Sequence, residues 1–137
     1  MTLRVIFLLI TTTVFFPAIR QKNKTCEVLE ALLKYDEARK VLFFDTHKEV
    51  PIVFVDVNLF FSDCVINDYY GRKIELVHDL SCLEVCNYSN IIVNSFNQTR
   101  NGYKLAIYYK VRNAFCKVEF KRKGIGIVVS KFSGGYF

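Results

Sequence analysis

The sequence predicts a small α+β domain: an N-terminal helix packed on a curved, mostly antiparallel sheet that ends in a four-strand meander. Three observations carry this expectation. From Ile91 to Phe137 the chain alternates apolar and polar residues between turn signals at Asn101-Gly102, Arg112-Asn113-Ala114 and Arg122-Lys123-Gly124. Period two is what a half-buried strand requires, because successive side chains leave opposite faces of the pleat. Between Cys26 and Arg39, Val28, Leu29, Leu32 and Leu33 form a stripe at helical spacing. The 137 residues, 52% hydrophobic and 15% aromatic, are enough for one domain with a real core.

The first twenty residues read as a secretory signal. Arg4 precedes an uncharged run from Val5 to Phe16, interrupted by Thr11 to Thr13, and polar sequence begins at Arg20-Gln21-Lys22. The run is shorter than the roughly twenty apolar residues a membrane-spanning helix needs, so no stable span is expected once the signal is removed. Ala18 is the best residue before a cleavage point, with Arg20 or Gln21 as alternatives. Residues 21–137 then form the single α+β domain. Removal of 1–20 takes away Arg4 and Arg20 and leaves 17 basic against 13 acidic residues, a net charge of +4.

Thr25 is positioned to cap the helix over Cys26 to Arg39, with Glu27 in its first turn and Lys34, Arg39 and Lys40 near its end, which suits the helix dipole. Val41 to Asp45 and Ile52 to Val57 read as strands joined by Thr46-His47-Lys48-Glu49, and Pro51 marks an edge or a strand beginning. Asn58 to Val65 fits a helical turn or extended chain equally, and Asn67 to Gly71 is a loop. Lys73 to His78 alternates as a strand, and Ser81-Cys82-Leu83-Glu84 has capping-box spacing for a short helix at 82–87. In the meander, Tyr103, Leu105, Ile107, Tyr109 and Val111 share one face, and Lys104, Tyr108, Lys110 and Arg112 the other. Cys116, Val118 and Phe120 oppose Lys117, Glu119 and Lys121 in the same way. The last strand, Ile125 to Phe132, is apolar on both sides, which predicts cover on both.

One helix, two strands, an irregular middle, a further strand and a meander make an order that resembles the cone-shaped nuclear transport factor 2-like fold or the cystatin-like fold. The likeness is one of architecture. It implies a pocket in which a carboxylate such as Asp56 could act as a proton-abstracting base.

Export agrees with the five cysteines. Cys26, Cys64, Cys82 and Cys86 are the candidate disulfide cysteines, in a connectivity the spacing does not choose. Cys116 lies on the apolar face of its strand and reads as a small buried hydrophobe. His78, Cys82 and Cys86 are spaced four and four, a zinc-capable pattern on a continuous helix. Ser81 starts that helix after the histidine, so no metal or other cofactor is expected. Sequons stand at Asn23, Asn87 and Asn97.

From Arg100 onward there are nine Lys or Arg and one acid, Glu119. Solvated strand faces are often lysine-rich. A basic face with an interleaved aromatic is also the footprint of a polyanion-binding surface. The expectation is therefore a small non-catalytic binding domain, secreted or periplasmic. Lys104, Tyr108, Lys110, Arg112, Lys117 and Lys121 would face an acidic protein, glycan or other polyanion. The alternative is a small exported enzyme, nuclear transport factor 2-like or ribonuclease-like, with an acid–base pair drawn from His47, His78 and Asp56.

Overall fold

A computed structural model describes residues 24–46, 49–69, 71–79 and 90–136. The expected helix at 82–87, and with it Cys82, Cys86 and Asn87, lies outside these residues, as do His47, Asn23 and the signal segment. The described chain is α+β: two short helices, α1 (Lys24–Lys34) and α2 (Asp36–Val41), and six strands in one open sheet. The strands are β1 (Ile52–Val55), β2 (Ile74–Val77), β3 (Asn90–Gln98), β4 (Gly102–Tyr109), β5 (Ala114–Lys123) and β6 (Gly126–Tyr136), in the order β2-β1-β3-β4-β5-β6.

The expected single helix is two because its apolar stripe runs out. Val28, Leu29, Leu32 and Leu33 are buried, but the next positions on that face are Asp36 and Glu37. Tyr35 is extended, with φ −82° and ψ 117°, and its bend lets α2 bury Ala38 on a new axis. The Tyr35 ring packs against Phe132 of β6 at 5.4 Å. Thr25, expected as a cap, lies inside α1.

Val41 to Asp45, expected as a strand, instead ends α2 and forms turns in which Phe43 takes φ 55°. Leu42 and Phe44 are buried without a strand ladder. Their neighbouring carbonyls are gathered by the buried Arg72, whose Nη1 donates to Phe43 O (3.2 Å), Phe44 O (2.6 Å) and Thr46 O (2.9 Å) and whose Nε donates to Val50 O (2.8 Å). A rigid guanidinium fork suits this task. Desolvation holds the Arg72 pKa below its usual value.

The sheet is mostly antiparallel, as expected, in three of its five strand pairs, but it is mixed. β1 pairs in parallel with both β2 and β3, and only β3 to β6 form the antiparallel meander. Ile52-Val53-Phe54-Val55 is the reason: it is apolar at every position and buried at every position, as a central parallel strand demands. Pro51 thus marks a strand beginning, in the interior of the sheet. The crossover after β1 sends Phe61 into the core, where it packs on Phe96 at 4.8 Å, and Phe96 stacks on Tyr103 at 5.3 Å. Cys64 of this crossover is bonded to Cys26 of α1 across 38 residues of sequence. Closing a loop of that length stabilises a fold by about 4 kcal/mol in the chain-entropy account.

The meander follows its sequence pattern. Tyr103, Leu105, Ile107, Tyr109, Ala114, Cys116, Val118 and Phe120 are buried toward the helices. Asn113 closes its turn at φ 46°. At Gly102 a Cβ would sit 1.8 Å from the Phe120 carbonyl oxygen, so the β3–β4 turn requires glycine for closeness of approach. Burial leaves the Cys116 thiol with a pKa pushed up to about 12, in keeping with a hydrophobe's role.

β6 departs from expectation. It is an edge strand, and Ile125, expected under cover, is fully exposed in the turn before it. A bulge explains the apolar residues on both sides. Glu119 pairs with Lys131 and Phe120 with Val129, so Ser130 is extra. The bulge flips the alternation, and both Val129 and Phe132 pack toward the core.

Candidate functional site

Alternation on β3 to β6 creates a second face, directed away from α1 and α2. Register sorts its residues into rows that cross the strands. Ile92, Tyr108, Phe115 and Gly135 form the first row; Ser95, Ala106, Lys117 and Ser133 the second; Asn97, Lys104, Glu119 and Lys131 the third. Gly102, Lys121 and Val128 form a fourth. Neighbouring strands lie about 4.8 Å apart and alternate residues along a strand about 6.8 Å apart. The first row thus has two aromatics at its centre, the second has small residues with Lys117 among them, and the third has three charged residues in succession.

Glu119 stands at the centre of the charged rows. Lys104 and Lys131 are its partners across the two strand pairs, and Lys117 and Lys121 flank it along β5. Among the described residues it is the one acid on this face of β3–β6, and its carboxylate lies 3.6 Å from Lys104 Nζ. All four lysines are exposed. One carboxylate among four ammonium groups leaves a surplus of positive charge that an incoming anion would neutralise.

The aromatic row is ordered by its surroundings. Tyr108 donates its hydroxyl hydrogen to Asn113 Oδ1 at 2.7 Å. The Phe115 ring leans over Gly135, where a Cβ would lie 3.6 Å from Phe115 Cε1. Between the aromatic and charged rows is an open hollow of about 310 Å³, lined by Asn94, Ala106, Tyr108, Phe115 and Lys117, with the inward-facing Ile107 and Cys116 also at its boundary. Ala106 makes its floor because it is short beside its outer-face neighbours Lys104 and Tyr108.

Of the residues expected to form the basic face, Lys104, Tyr108, Lys117 and Lys121 come together. Lys110 and Arg112 do not. A 3-10 turn over Lys110–Arg112 ends the strand at Tyr109, and the alternation ends with it. Arg112 instead holds its guanidinium 5.0 Å from the ring centroid of Phe43, beside the helical layer. Sequence reasoning missed Lys131 and Phe115. Lys131 is out of phase until the Ser130 bulge is placed, and Phe115 is visible on the lysine side of β5 by simple alternation.

The expected acid–base residues separate into one pair and one residue outside the described chain. Asp56 and His78 follow the adjacent parallel strands β1 and β2, and the Asp56 backbone N–H donates to Val77 O at 2.8 Å. His78 Nδ1 donates to the Asp56 carbonyl oxygen at 2.9 Å and lies 3.7 Å from its carboxylate. That leaves Nε2 as the acceptor of a neutral ring. The Asp56 carboxylate is fully buried and accepts the backbone N–H groups of Phe60 (3.1 Å) and Phe61 (2.7 Å). It therefore pins the start of the crossover by binding the backbone four and five residues on, a structural duty. His47 lies outside the described residues. Among the described residues no group of three His, Cys, Asp or Glu is placed to hold a metal ion.

Compared with known proteins, the chain matches no family model, no curated protein and no solved structure at a significant level.

Proposed function

We propose that this protein is an exported, non-catalytic binding domain that offers the open face of β4–β6 to an acidic partner. One observation carries the proposal: Lys104, Lys117, Lys121 and Lys131 surround the single carboxylate of Glu119 on an exposed sheet face. A solvated face needs no such sorting of residues into aromatic, small and cationic rows. Export rests on the signal-like residues 1–20 and is supported by the Cys26–Cys64 disulfide, which belongs to an oxidising compartment. Among the described residues no helix is long and apolar enough to cross a membrane. The proposal includes the finer architectural likeness to the nuclear transport factor 2-like or cystatin-like arrangement. Binding at the face requires only the open α+β sheet.

The test is charge reversal. Lys104→Glu, Lys117→Glu and Lys121→Glu together should abolish binding to a panel of acidic probes, namely poly-glutamate, a sulfated oligosaccharide and a single-stranded oligonucleotide. The far-ultraviolet circular dichroism should stay unchanged. Undiminished binding by the folded triple variant would refute the proposal.

A second reading has one observation in its favour: His78 is held by Asp56 at the carboxyl ends of two parallel strands, where open sheets often place ligands. A ribonuclease-like enzyme would use His78 Nε2 as its base. Cleavage of a labelled RNA by the wild type, lost in His78→Gln, would establish it; no cleavage by the wild type would dismiss it.

A further inference from the structure

We infer that the acidic partner is a glycan: an acidic oligosaccharide lying across strands β3 to β6, with a sugar ring seated over Ala106 against Tyr108 and Phe115. This rests on the proposed binding face and names its partner class. Two features of the face carry it beyond charge alone.

The first is the hollow. Its volume of about 310 Å³ falls at the small end of ligand sites, and it is open and shallow. Aromatic faces carry negative charge density, which attracts the polarised C–H bonds of a pyranose. Phe115 lies beside Gly135, which leaves its ring face uncovered by a side chain there, and Tyr108 is tethered to Asn113 through its hydroxyl. Asn94 and Lys117, on the same hollow, supply an amide for hydroxyl groups and an ammonium for an anion. An extended acidic peptide would not need this combination, because it has no flat, hydroxyl-rimmed ring to lay on an aromatic pair.

The second is direction. The row Ser95–Ala106–Lys117–Ser133, three small residues and one lysine, runs between the aromatic and charged rows, perpendicular to the strands. Across four strands such a trough is about 14 Å long, since each step is about 4.8 Å. A chain of two to three sugars would lie in it with one ring face on the aromatic row and its carboxylate or sulfate groups toward Lys104, Lys117 and Lys131. A flexible polyanion held by charge alone would show no dependence on the hollow.

The experiment compares the full exported chain with three variants: Phe115→Ala, Ala106→Phe and Lys104→Gln/Lys121→Gln. The probes are a sulfated or uronic-acid hexasaccharide and a poly-glutamate peptide of equal charge, with affinities measured by titration calorimetry. The wild type should favour the glycan. Phe115→Ala, which removes the platform, and Ala106→Phe, which fills the hollow, should each weaken glycan binding roughly tenfold and leave poly-glutamate within about twofold. The lysine variant should weaken both probes. The lysine variant should also retain the preference for glycan. Equal wild-type affinity for both probes, or glycan affinity indifferent to Phe115→Ala and Ala106→Phe, would overturn the glycan inference while leaving the basic-face proposal standing. Absence of binding to either probe would overturn both. Thermal unfolding of each variant separates a lost site from a lost fold, and the two hollow variants act by opposite changes in volume.

Discussion

Strands β4 and β5 present two faces built from alternate residues of the same backbone. One carries Leu105, Ile107, Cys116, Val118 and Phe120, all almost completely buried under the helices. The other carries Lys104, Ala106, Tyr108, Lys117 and Lys121, exposed or half-buried. The two faces share every hydrogen bond of the ladder, so they differ only in what the side chains meet. The helix-side face supplies the apolar burial that holds the fold. The open face contributes little to stability, because exposed charges make weak interactions in water. Substitutions should therefore separate cleanly into those that change stability and those that change binding.

The largest effect is expected in the covered core. Phe54→Ala, on an interior strand buried on both sides, should cost about 3–5 kcal/mol in urea unfolding. A cost below about 1 kcal/mol would mean that β1 is not a packed interior strand. Replacing Cys26 and Cys64 together by serine should lower stability by about 4 kcal/mol, and reduction of the wild type should reproduce the loss. Gly102→Ala should cost about 2–3 kcal/mol, because the new methyl group must displace the Phe120 carbonyl. On the open face the effects reverse. Lys117→Gln and Lys121→Gln should each move the unfolding free energy by no more than about 0.5 kcal/mol.

Cys116 sharpens the comparison by an effect that should be nil under ordinary conditions. Its thiol, pushed up to about 12 by burial, should resist alkylation at about pH 8.5 until the chain unfolds. The sign of its contribution to stability follows from the raised pKa. It is fully present below the unfolded thiol's pKa and falls as pH rises from there through the folded value. Cys116→Ala should remove that part of the alkaline loss. Rapid labelling of the native protein at about pH 8.5 would contradict the burial of this face.

The meander was legible in the sequence because its signals are local. Asn101-Gly102, the period-two pattern and Gly124 each act within a few residues, and the strands fall between them. The parallel pairing of β1 with β2 and β3 was not, since it depends on which distant strands flank Ile52 to Val55. The run's uninterrupted apolar character was the available clue. Val41 to Asp45 misled because Leu42 and Phe44 alternate as in a strand, while their carbonyls are served by Arg72, far along the chain. The basic face was half legible. Lys104, Tyr108, Lys117 and Lys121 follow from alternation, but Lys131 needed the bulge at Ser130, and Lys110 and Arg112 were lost to a turn that no strand pattern foretells.

The salt dependence of binding to one acidic oligosaccharide tests the central claim most directly. It would be measured for the wild type and for the variant with Lys104, Lys117, Lys121 and Lys131 all replaced by glutamine. Wild-type affinity should fall steeply as salt rises, and the variant should bind weakly with a slope smaller by roughly one unit per lysine in contact, by analogy with phosphate contacts. The same affinity and the same slope in both proteins would show that the open face of β4–β6 is not where the partner binds.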